Sequence, residues 1–263
     1  MGRGHEGPWR TGARLHARRP PDIPGTMRVL AGTSGYSYPA WKGRFYDPAL
    51  PASRMLSAYA ARLPAVEINA TFYRMPKPST LAGWRGEVPP GFVFALKAPQ
   101  RVTHVKRLAG AAEEVAYFLR TAAELGERLG PLLWQLPPTL KKDLPRLRDF
   151  LALLPRGGRS AFEFRHESWH SDDVLAALSE AGAALCIAED EARSTPLAAT
   201  AGFGYLRLRR PDYDDAALAR WAGAVREQRW TDAFVFFKHE DEARGPEFAL
   251  RFAAIAGSGD AAP

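Results

Sequence analysis

A carboxylate and a guanidinium lie close together in segment 161–169, on the same face of a predicted strand. Phe162 and Phe164 alternate with Glu163 and Arg165, so the aromatic rings take one face and the charged groups take the other. Such a pair has the chemistry to transfer protons and to bind an anion. Because the charged residues come last, we expect them at the carboxyl end of the strand, where parallel barrels place their active sites.

The same alternation places polar side chains on the inner face at the ends of four further predicted strands. We expect these groups to converge at one end of a barrel, because isolated buried polar groups are costly. The alternative for each residue taken singly is a salt bridge that lines the barrel. Three cations against two carboxylates suit a small polyhydroxy or anionic molecule as the ligand. Arg165 or Arg207 would bind a carboxylate or phosphate of that molecule. The full set is Glu67, Asn69, Lys97, Gln135, Glu163, Arg165 and Arg207.

Metal and cofactor motifs are either absent or fail their structural requirement. Glu67, Glu163 and Asp190 end predicted strands and carry the oxygen ligands that a divalent cation uses. We expect neighbouring cations to pair with these carboxylates instead. Segment 166–170 reads H-E-x-x-H, but that zinc motif requires a helix and this segment is predicted to be a loop. Neither a Walker A motif nor G-x-G-x-x-G occurs. The sequence therefore predicts no metal and no cofactor.

Eight strand-like segments alternate with helical patterns between residues 28 and 256. This alternation favours a parallel sheet, and eight repeats favour a TIM-type (β/α)8 barrel in a single domain. Asp143 and Ser171 have the position and side chain of helix N-caps. The strands are predicted at 28–35, 65–69, 92–98, 132–136, 160–165, 183–188, 204–208 and 233–238. The helices are predicted at 54–63, 80–84, 110–129, 144–154, 174–180, 214–228 and 245–256, with a short, weak element at 195–200.

Amino-acid composition predicts where the domain begins and ends. Residues 1–27 are rich in Gly, Arg and Pro and are predicted to form a disordered tail, as are residues 258–263, which leaves 28–257 for the barrel. Met27 comes immediately before the first strand and is a candidate start. A net charge of +7 and an isoelectric point near 9.7 point only weakly to anionic partners.

Location is predicted from three further features. The single Cys186 excludes an internal disulfide and lies in an apolar run that we expect in the core. The sequence contains neither the apolar region of a signal peptide nor an apolar run of about 18 residues. We therefore expect a cytoplasmic protein without a membrane partner. The sequence leaves the oligomeric state open.

Several longer motifs resemble one known family. That family is DUF72 (YecE-like), and the resemblance runs from roughly residue 28 to residue 250. It implies a TIM-type barrel but no reaction, because the function of the family is unknown. The motifs are Gly32-Thr33-Ser34-Gly35-Tyr36, Val66-Glu67-Ile68-Asn69-Ala70-Thr71-Phe72-Tyr73, Phe92–Lys97, Thr103-His104, Gln135-Leu136-Pro137-Pro138 and Glu163-Phe164-Arg165-His166-Glu167-Ser168-Trp169.

The resemblance carries over to individual residues, with one departure. Many members end the eighth strand with an Asn-Asn pair, whereas this chain reads Phe237-Lys238-His239-Glu240-Asp241, so a ligand contact there would be ionic. We count His104 and His239 among the expected substrate-binding residues. The family's motif residues fall on Glu67, Asn69, Thr71, Tyr73, Lys97, Gln135, Glu163, Arg165, Ser168 and Trp169.

Three functions remain open on this sequence. In the first, an enzyme uses Glu67 or Glu163 as general acid or base and Lys97 to polarise an oxygen, with Tyr73 and Trp169 as aromatic walls. Hydrolase, lyase and isomerase chemistry all fit it. The second is nucleic-acid binding or processing, in which the basic loop 100–107 and the Arg-rich tail contact phosphates; that loop is otherwise a solvated surface or a lid. The third is metabolite binding without catalysis.

Overall fold

Eight parallel strands close into a barrel, as the sequence predicts. The structure is a computed structural model and describes residues 27–238 and 241–257. Each strand pairs with the next, and β1 pairs with β8 from Arg28–Asp232 to Thr33–Phe237 to close the ring. The predicted tails and His239 lie outside the described residues, apart from Met27. The strands are β1 (Arg28–Ser34), β2 (Ala65–Ile68), β3 (Val93–Lys97), β4 (Leu129–Gln135), β5 (Ser160–Glu163), β6 (Ala184–Glu189), β7 (Phe203–Leu208) and β8 (Asp232–Phe237).

Helices surround the barrel and cover its outer face. Trp134 on β4 illustrates this layer, since its ring packs edge-on against Phe118 and Phe150 from two different helices. Burying such side chains contributes about 1.5–3 kcal/mol each. The helices are α1 (Met55–Ala60), α2 (Ala70–Tyr73), α3 (Pro78–Glu87), α4 (Ala112–Ala122), α5 (Leu144–Leu151), α6 (Asp172–Glu180), α7 (Asp215–Arg226) and α8 (Arg244–Gly257).

The interior of the barrel is filled by residues of the inner alternation. Small and medium side chains such as Ala95, Ala161 and Cys186 form the lower layers, and Cys186 is buried as predicted. Gly32 is required on β1, because a Cβ there would lie 2.0 Å from the carbonyl oxygen of Ala65. The last inner residues of several strands are polar, and they occupy the carboxyl end of the barrel.

Two predicted helices differ from the structure. Residues 195–200 form no helix, because Thr195 N donates to Ala188 O and the Thr200 hydroxyl bonds to both Leu185 N and Ala183 O. These bonds hold the segment extended against β6. In place of the helix predicted at 110–129, the α-helix ends at Ala122 and 3₁₀ turns follow from Ala123 to Arg128. Gly126, within these turns, has a positive φ of 54°.

Asp143 and Ser171 both occupy the predicted N-cap positions, but only the Asp143 side chain makes the capping hydrogen bond. Asp143 accepts a hydrogen bond from Arg146 N at the start of α5. The Ser171 hydroxyl instead donates to Asp173, and Asp173 accepts from Val174 N. An acid two residues further on therefore performs the expected role of Ser171. Within the described ranges, the structure contains no helix with both the length and the apolar character needed to cross a bilayer.

Candidate functional site

Arg207 stands at the centre of the polar end of the barrel. Its Nη2 donates to Glu67 Oε1 at 2.8 Å, and its Nη1 donates to Glu163 Oε2 at 2.5 Å. All three side chains are buried. Glu67 comes from β2, Glu163 from β5 and Arg207 from β7, so one guanidinium bridges carboxylates from distant parts of the chain.

Glu67 has further donors on both carboxylate oxygens. Ser34 Oγ and Asn69 Nδ2 donate to Oε1 at 2.7 and 3.1 Å, and Tyr205 OH donates to Oε2 at 2.7 Å. Burial alone would raise the pKa of Glu67, but the charge of Arg207 and these hydrogen bonds outweigh it and lower the pKa below its ordinary value. Glu67 is therefore held ionised.

Glu163 is surrounded by donors in the same way. Gln135 Nε2 donates at 2.8 Å, Arg165 Nε at 3.0 Å and Arg209 Nη2 at 3.4 Å. Burial would raise the pKa of Glu163, but Arg207, Arg209 and Arg165 hold it well below its ordinary value. A carboxylate in this environment is a weak base and a poor proton donor.

Lys97 differs from the other cations at this end. Its Nζ lies 4.0 Å from the centre of the Phe72 ring, and in the described part of the chain no carboxylate lies within 4.0 Å of it. Thr71 Oγ1 donates to the Lys97 carbonyl at 2.7 Å and fixes the end of β3. Burial, followed by the charge of Arg207, lowers the pKa of Lys97 to about 8.

An aromatic edge lies next to this amine. The His104 ring meets Phe72 edge-on at 4.9 Å, and Tyr73 meets it at 5.0 Å from another side. Tyr73 is 80% exposed. His104 Nδ1 shares a hydrogen bond of 2.9 Å with Thr103 Oγ1, and burial, with the charge of Lys97, lowers the pKa of His104. The imidazole is thus biased toward its neutral form.

The sequence matches the family described as "Protein of unknown function DUF72" over residues 30–262. This chain belongs to the DUF72 family. Among its relatives, "UPF0759 protein YecE" of Escherichia coli K12 is 31% identical over 139 residues, which cover 52% of this chain and 48% of the relative. "UPF0759 protein YunF" of Bacillus subtilis is 30% identical over 138 residues and is covered to the same 48%. The matched segment spans about half the length of these relatives.

Solved structures agree with the family assignment. A DUF72 family protein from Thermotoga maritima is similar with a TM-score of 0.76 and 26% identity, over 88% of this chain and 99% of that one. A DUF72 family protein from Enterococcus faecalis, at 20% identity and a TM-score of 0.70, shares the fold over 88% of this chain and 98% of that one. The DUF72 barrel predicted from the sequence is therefore confirmed.

Eight of the eleven predicted site residues of this DUF72 protein meet at the carboxyl end of the barrel. Tyr73 extends the aromatic edge outward from them. His239 lies outside the described residues. The eight are Glu67, Asn69, Lys97, His104, Gln135, Glu163, Arg165 and Arg207.

Two expected roles in the DUF72 site need correction. Trp169 is 1% exposed, stacks on Phe164 at 4.8 Å and donates to Leu140 O, so it belongs to the outer core and forms no wall of the site. Phe164 faces outward in the alternation, and the turn after it returns Trp169 to the same side. Arg207 was expected to grip a ligand, but its guanidinium is buried between two carboxylates and is unavailable to one.

Three further residues of the DUF72 site were missing from the predicted set. Arg209, which is 15% exposed, contacts Glu163 and also Asp190 at 3.5 Å. Tyr205 and Ser34 each donate to Glu67. The alternation 205, 207, 209 already placed Arg209 on the inner side, but the predicted strand ended at Leu208. Four cations against three carboxylates, counting Asp190, leave this end of the barrel with a formal charge of +1.

The metal alternatives find no support among the described residues of the DUF72 barrel. No group of three or more His, Cys, Asp or Glu side chains is arranged to hold a metal ion in residues 27–238 and 241–257. Asp190 pairs with Arg209 and Arg193 instead. The H-E-x-x-H segment is not an α-helix: residues Glu167–Trp169 form one 3₁₀ turn, and His166 Nδ1 accepts from Ser168 N.

The basic loop of the DUF72 chain is attached to its neighbouring helix. Arg101 Nε and Lys106 Nζ both donate to Glu114 of α4, at 2.8 and 2.7 Å. Residues Arg101–Val105 form one π-helical turn that carries His104 toward Phe72. Two of the cations that nucleic-acid binding required are therefore already engaged in ion pairs.

A separate cavity of about 470 Å³ lies between residues 108–112, which lead into α4, and one side of α5 from Asp143 to Leu153. Leu108, Asp143, Arg146 and Leu153 are among its lining residues, and it contains none of the predicted site residues. The polar end of the barrel therefore remains the candidate site.

Proposed function

We propose that this protein is an enzyme that acts on a small, anionic polyhydroxy molecule, with Lys97 as its proton-transfer group. The observation that carries this proposal is the environment of the Lys97 amine. It is half-buried at the carboxyl end of the barrel, and it lies on an aromatic ring rather than against a carboxylate. An amine whose pKa lies near 8 is present in both protonation states near neutral pH, as proton transfer requires.

Arg165 and Arg209 supply the anion-binding groups of the proposed site. Both retain exposed surface, 28% and 15% of their side chains, whereas the Arg207 side chain retains 3%. Their shared partner Glu163 orients the two guanidinium groups, and the four cations at this end of the barrel outnumber its three carboxylates. A phosphate or carboxylate that reaches the site finds planar donors suited to bidentate binding.

Glu67 and Glu163 take a positioning role in this proposal. Each accepts several hydrogen bonds and is held ionised, so each fixes Arg207 and the neighbouring donors in place. Barrel enzymes place their reactive groups at the carboxyl ends of the strands, and Lys97 ends β3. The sequence predicted Glu67 or Glu163 as the general acid or base; this proposal assigns that role to Lys97 instead.

The test is turnover of a panel of sugar phosphates and sugar acids in D2O, followed by proton NMR of the compounds. Lys97→Met should slow conversion or deuterium incorporation by about 10²–10⁴-fold, the usual contribution of general acid–base catalysis. The wild-type rate should rise with pH through about 8, as the amine loses its proton. Lys142→Met is the matched control, because Lys142 is paired with Asp173 outside the barrel mouth.

The variant is expected to fold. Burial disfavours the charged amine, so methionine removes that cost while retaining contact with Phe72. Its denaturation midpoint should therefore be no lower than that of the wild type. Unchanged turnover in Lys97→Met would contradict the proposal. A compound that binds tightly and is never converted would identify a metabolite-binding protein instead.

A further inference from the structure

Among the lysines of the described chain, Lys97 has the surroundings of a nucleophile. Lys106 and Lys142 each form an ion pair with a carboxylate, Glu114 and Asp173 respectively. Lys97 has the Phe72 ring on one side. Burial and the charge of Arg207 lower its pKa and outweigh the opposing charges of Glu67 and Glu163. Desolvation and neighbouring cations are the two devices that activate lysines for attack on carbonyl carbon.

His104 completes the arrangement. Its ring contacts the same Phe72 ring as the Lys97 amine, and its Nδ1 is occupied by Thr103 Oγ1. This leaves Nε2 for a substrate. An imidazole beside an amine is suited to move the proton that carbonyl addition and dehydration require.

We propose that Lys97 forms an imine with an aldehyde or ketone substrate that carries a phosphate or carboxylate. This inference rests on the proposed function and specifies its substrate class. Arg165 and Arg209 bind the anionic group, and the carbonyl carbon meets the amine. Carbonyl compounds with an anionic group combine both features of the site.

The covalent step is balanced without an oxidant or reductant. The neutral Nζ attacks the carbonyl carbon, a C–N bond forms, and the proton that the nitrogen loses passes through the imidazole to the carbonyl oxygen to give a carbinolamine. Loss of that hydroxyl as water, with one proton delivered from solvent through the imidazole, leaves the iminium. The iminium withdraws electrons from the adjacent carbon, which is the activation that isomerase and lyase reactions use. Hydrolysis then reverses these steps and restores the free amine.

The experiment is reductive trapping on the full chain. The probes are glycolaldehyde phosphate and uncharged glycolaldehyde, each at pH 8 with sodium cyanoborohydride, and the modified lysines are mapped by peptide mass spectrometry. At this pH an amine with a pKa near 8 is about half neutral, whereas an ordinary lysine is almost wholly protonated. We expect labelling of Lys97 by the phosphate probe to exceed that of Lys142 about tenfold.

The two probes and one variant separate the possible outcomes. Lys97 should be labelled several-fold faster by the phosphate probe than by glycolaldehyde, and Lys97→Arg should remove that peptide adduct while retaining the fold by circular dichroism. Labelling of Lys97 no faster than Lys142 overturns the imine. Equal labelling by both probes overturns the anionic substrate class.

Failure of this inference is distinguishable from failure of the proposed function. Loss of turnover in Lys97→Met, without any trapped adduct on wild-type Lys97, overturns the imine and leaves Lys97 as a proton-transfer group. A trapped adduct on Lys97, with no compound of the panel converted, supports the imine and overturns the enzymatic proposal.

Discussion

A single buried guanidinium determines the arrangement of charges at the residue scale. Arg207 bonds to Glu67 and Glu163, and both carboxylates accept further hydrogen bonds from neutral or cationic donors. Buried ion pairs gain little over apolar packing, but removing one partner leaves an uncompensated charge. The cluster therefore fixes the geometry of this end of the barrel. The desolvation of its charges lowers stability, and the packing of the barrel offsets that loss.

Replacing the buried Arg207 should reduce the free energy of unfolding far more than replacing the partly exposed Arg165. Arg207→Met leaves two buried carboxylates without their shared partner, and the free energy of unfolding should fall by about 3–5 kcal/mol at pH 7. Arg165→Met is the matched control: Arg165 keeps 28% of its side chain exposed, and its pair should contribute at most about 1 kcal/mol. Guanidinium denaturation measures both. Equal losses would show that Arg207 does not hold the carboxylates.

At the element scale, the segment after β3 is the one most directly tied to the site. It makes a π-helical turn at Arg101–Val105, and Arg107 and Leu108 follow with φ of 49° and 71°, a conformation uncommon outside glycine. Glu114 of α4 holds this segment through Arg101 and Lys106. The position of His104 therefore depends on a helix that lies outside the barrel wall.

Removing this attachment should loosen the segment without unfolding the protein. Glu114→Gln weakens two ion pairs, so amide hydrogen exchange of residues 101–106 should accelerate several-fold. The melting temperature should change little, since exposed ion pairs contribute about 0–1 kcal/mol each. Glu113→Gln, one residue earlier and exposed, should leave exchange unchanged. Equal exchange in wild type and Glu114→Gln would show that the loop holds its shape by its own packing.

Closure of the barrel brings the site together at the scale of the whole molecule. Glu67 and Arg207 are 140 residues apart and bond directly, and Glu67 reaches Tyr205 across 138 residues. Small inner residues such as Ala95 and Ala161 pack below this layer together with larger ones such as Phe236. The stability of the barrel is consequently coupled to the charge state of its polar end.

Acid should destabilise the whole barrel through these two carboxylates. The folded pKa values of Glu67 and Glu163 lie below the ordinary value of 4.5, so their stabilisation is complete above that pH and is lost as pH falls toward the folded values. Below pH 4.5 each carboxyl should remove about 1.4 kcal/mol per pH unit. Denaturation curves between pH 3 and pH 7 measure this slope.

Two separate carboxylates outside the polar end of the barrel provide the control for this titration. Glu114 and Asp173 also have pKa values lowered to about 2, by hydrogen bonds from Arg101 and Ser171 respectively, but both lie at the surface. The double substitution Glu114→Gln with Asp173→Asn should leave most of the acid slope in place. A slope that disappears in this variant would assign the acid sensitivity to the surface instead of the barrel mouth.

The amino-acid sequence alone determined the barrel and the inner face of its strands. Alternation is a local property, so Glu67, Lys97, Glu163 and Arg165 could be assigned to the inner side from their immediate neighbours. The extended segment at 195–200 escaped prediction, because its backbone bonds to β6, which no local pattern records.

Only the tertiary structure decided which polar groups are buried in ion pairs and which retain surface that a ligand can reach. Arg207 and Arg165 look equivalent in the sequence, yet ring closure buries the first between two carboxylates and leaves the second partly open. Lys97 acquires its lowered pKa from burial and from Arg207, 110 positions away along the chain. Electrostatic energy depends on distance and solvent exposure, and both are fixed only when the strands close into a ring.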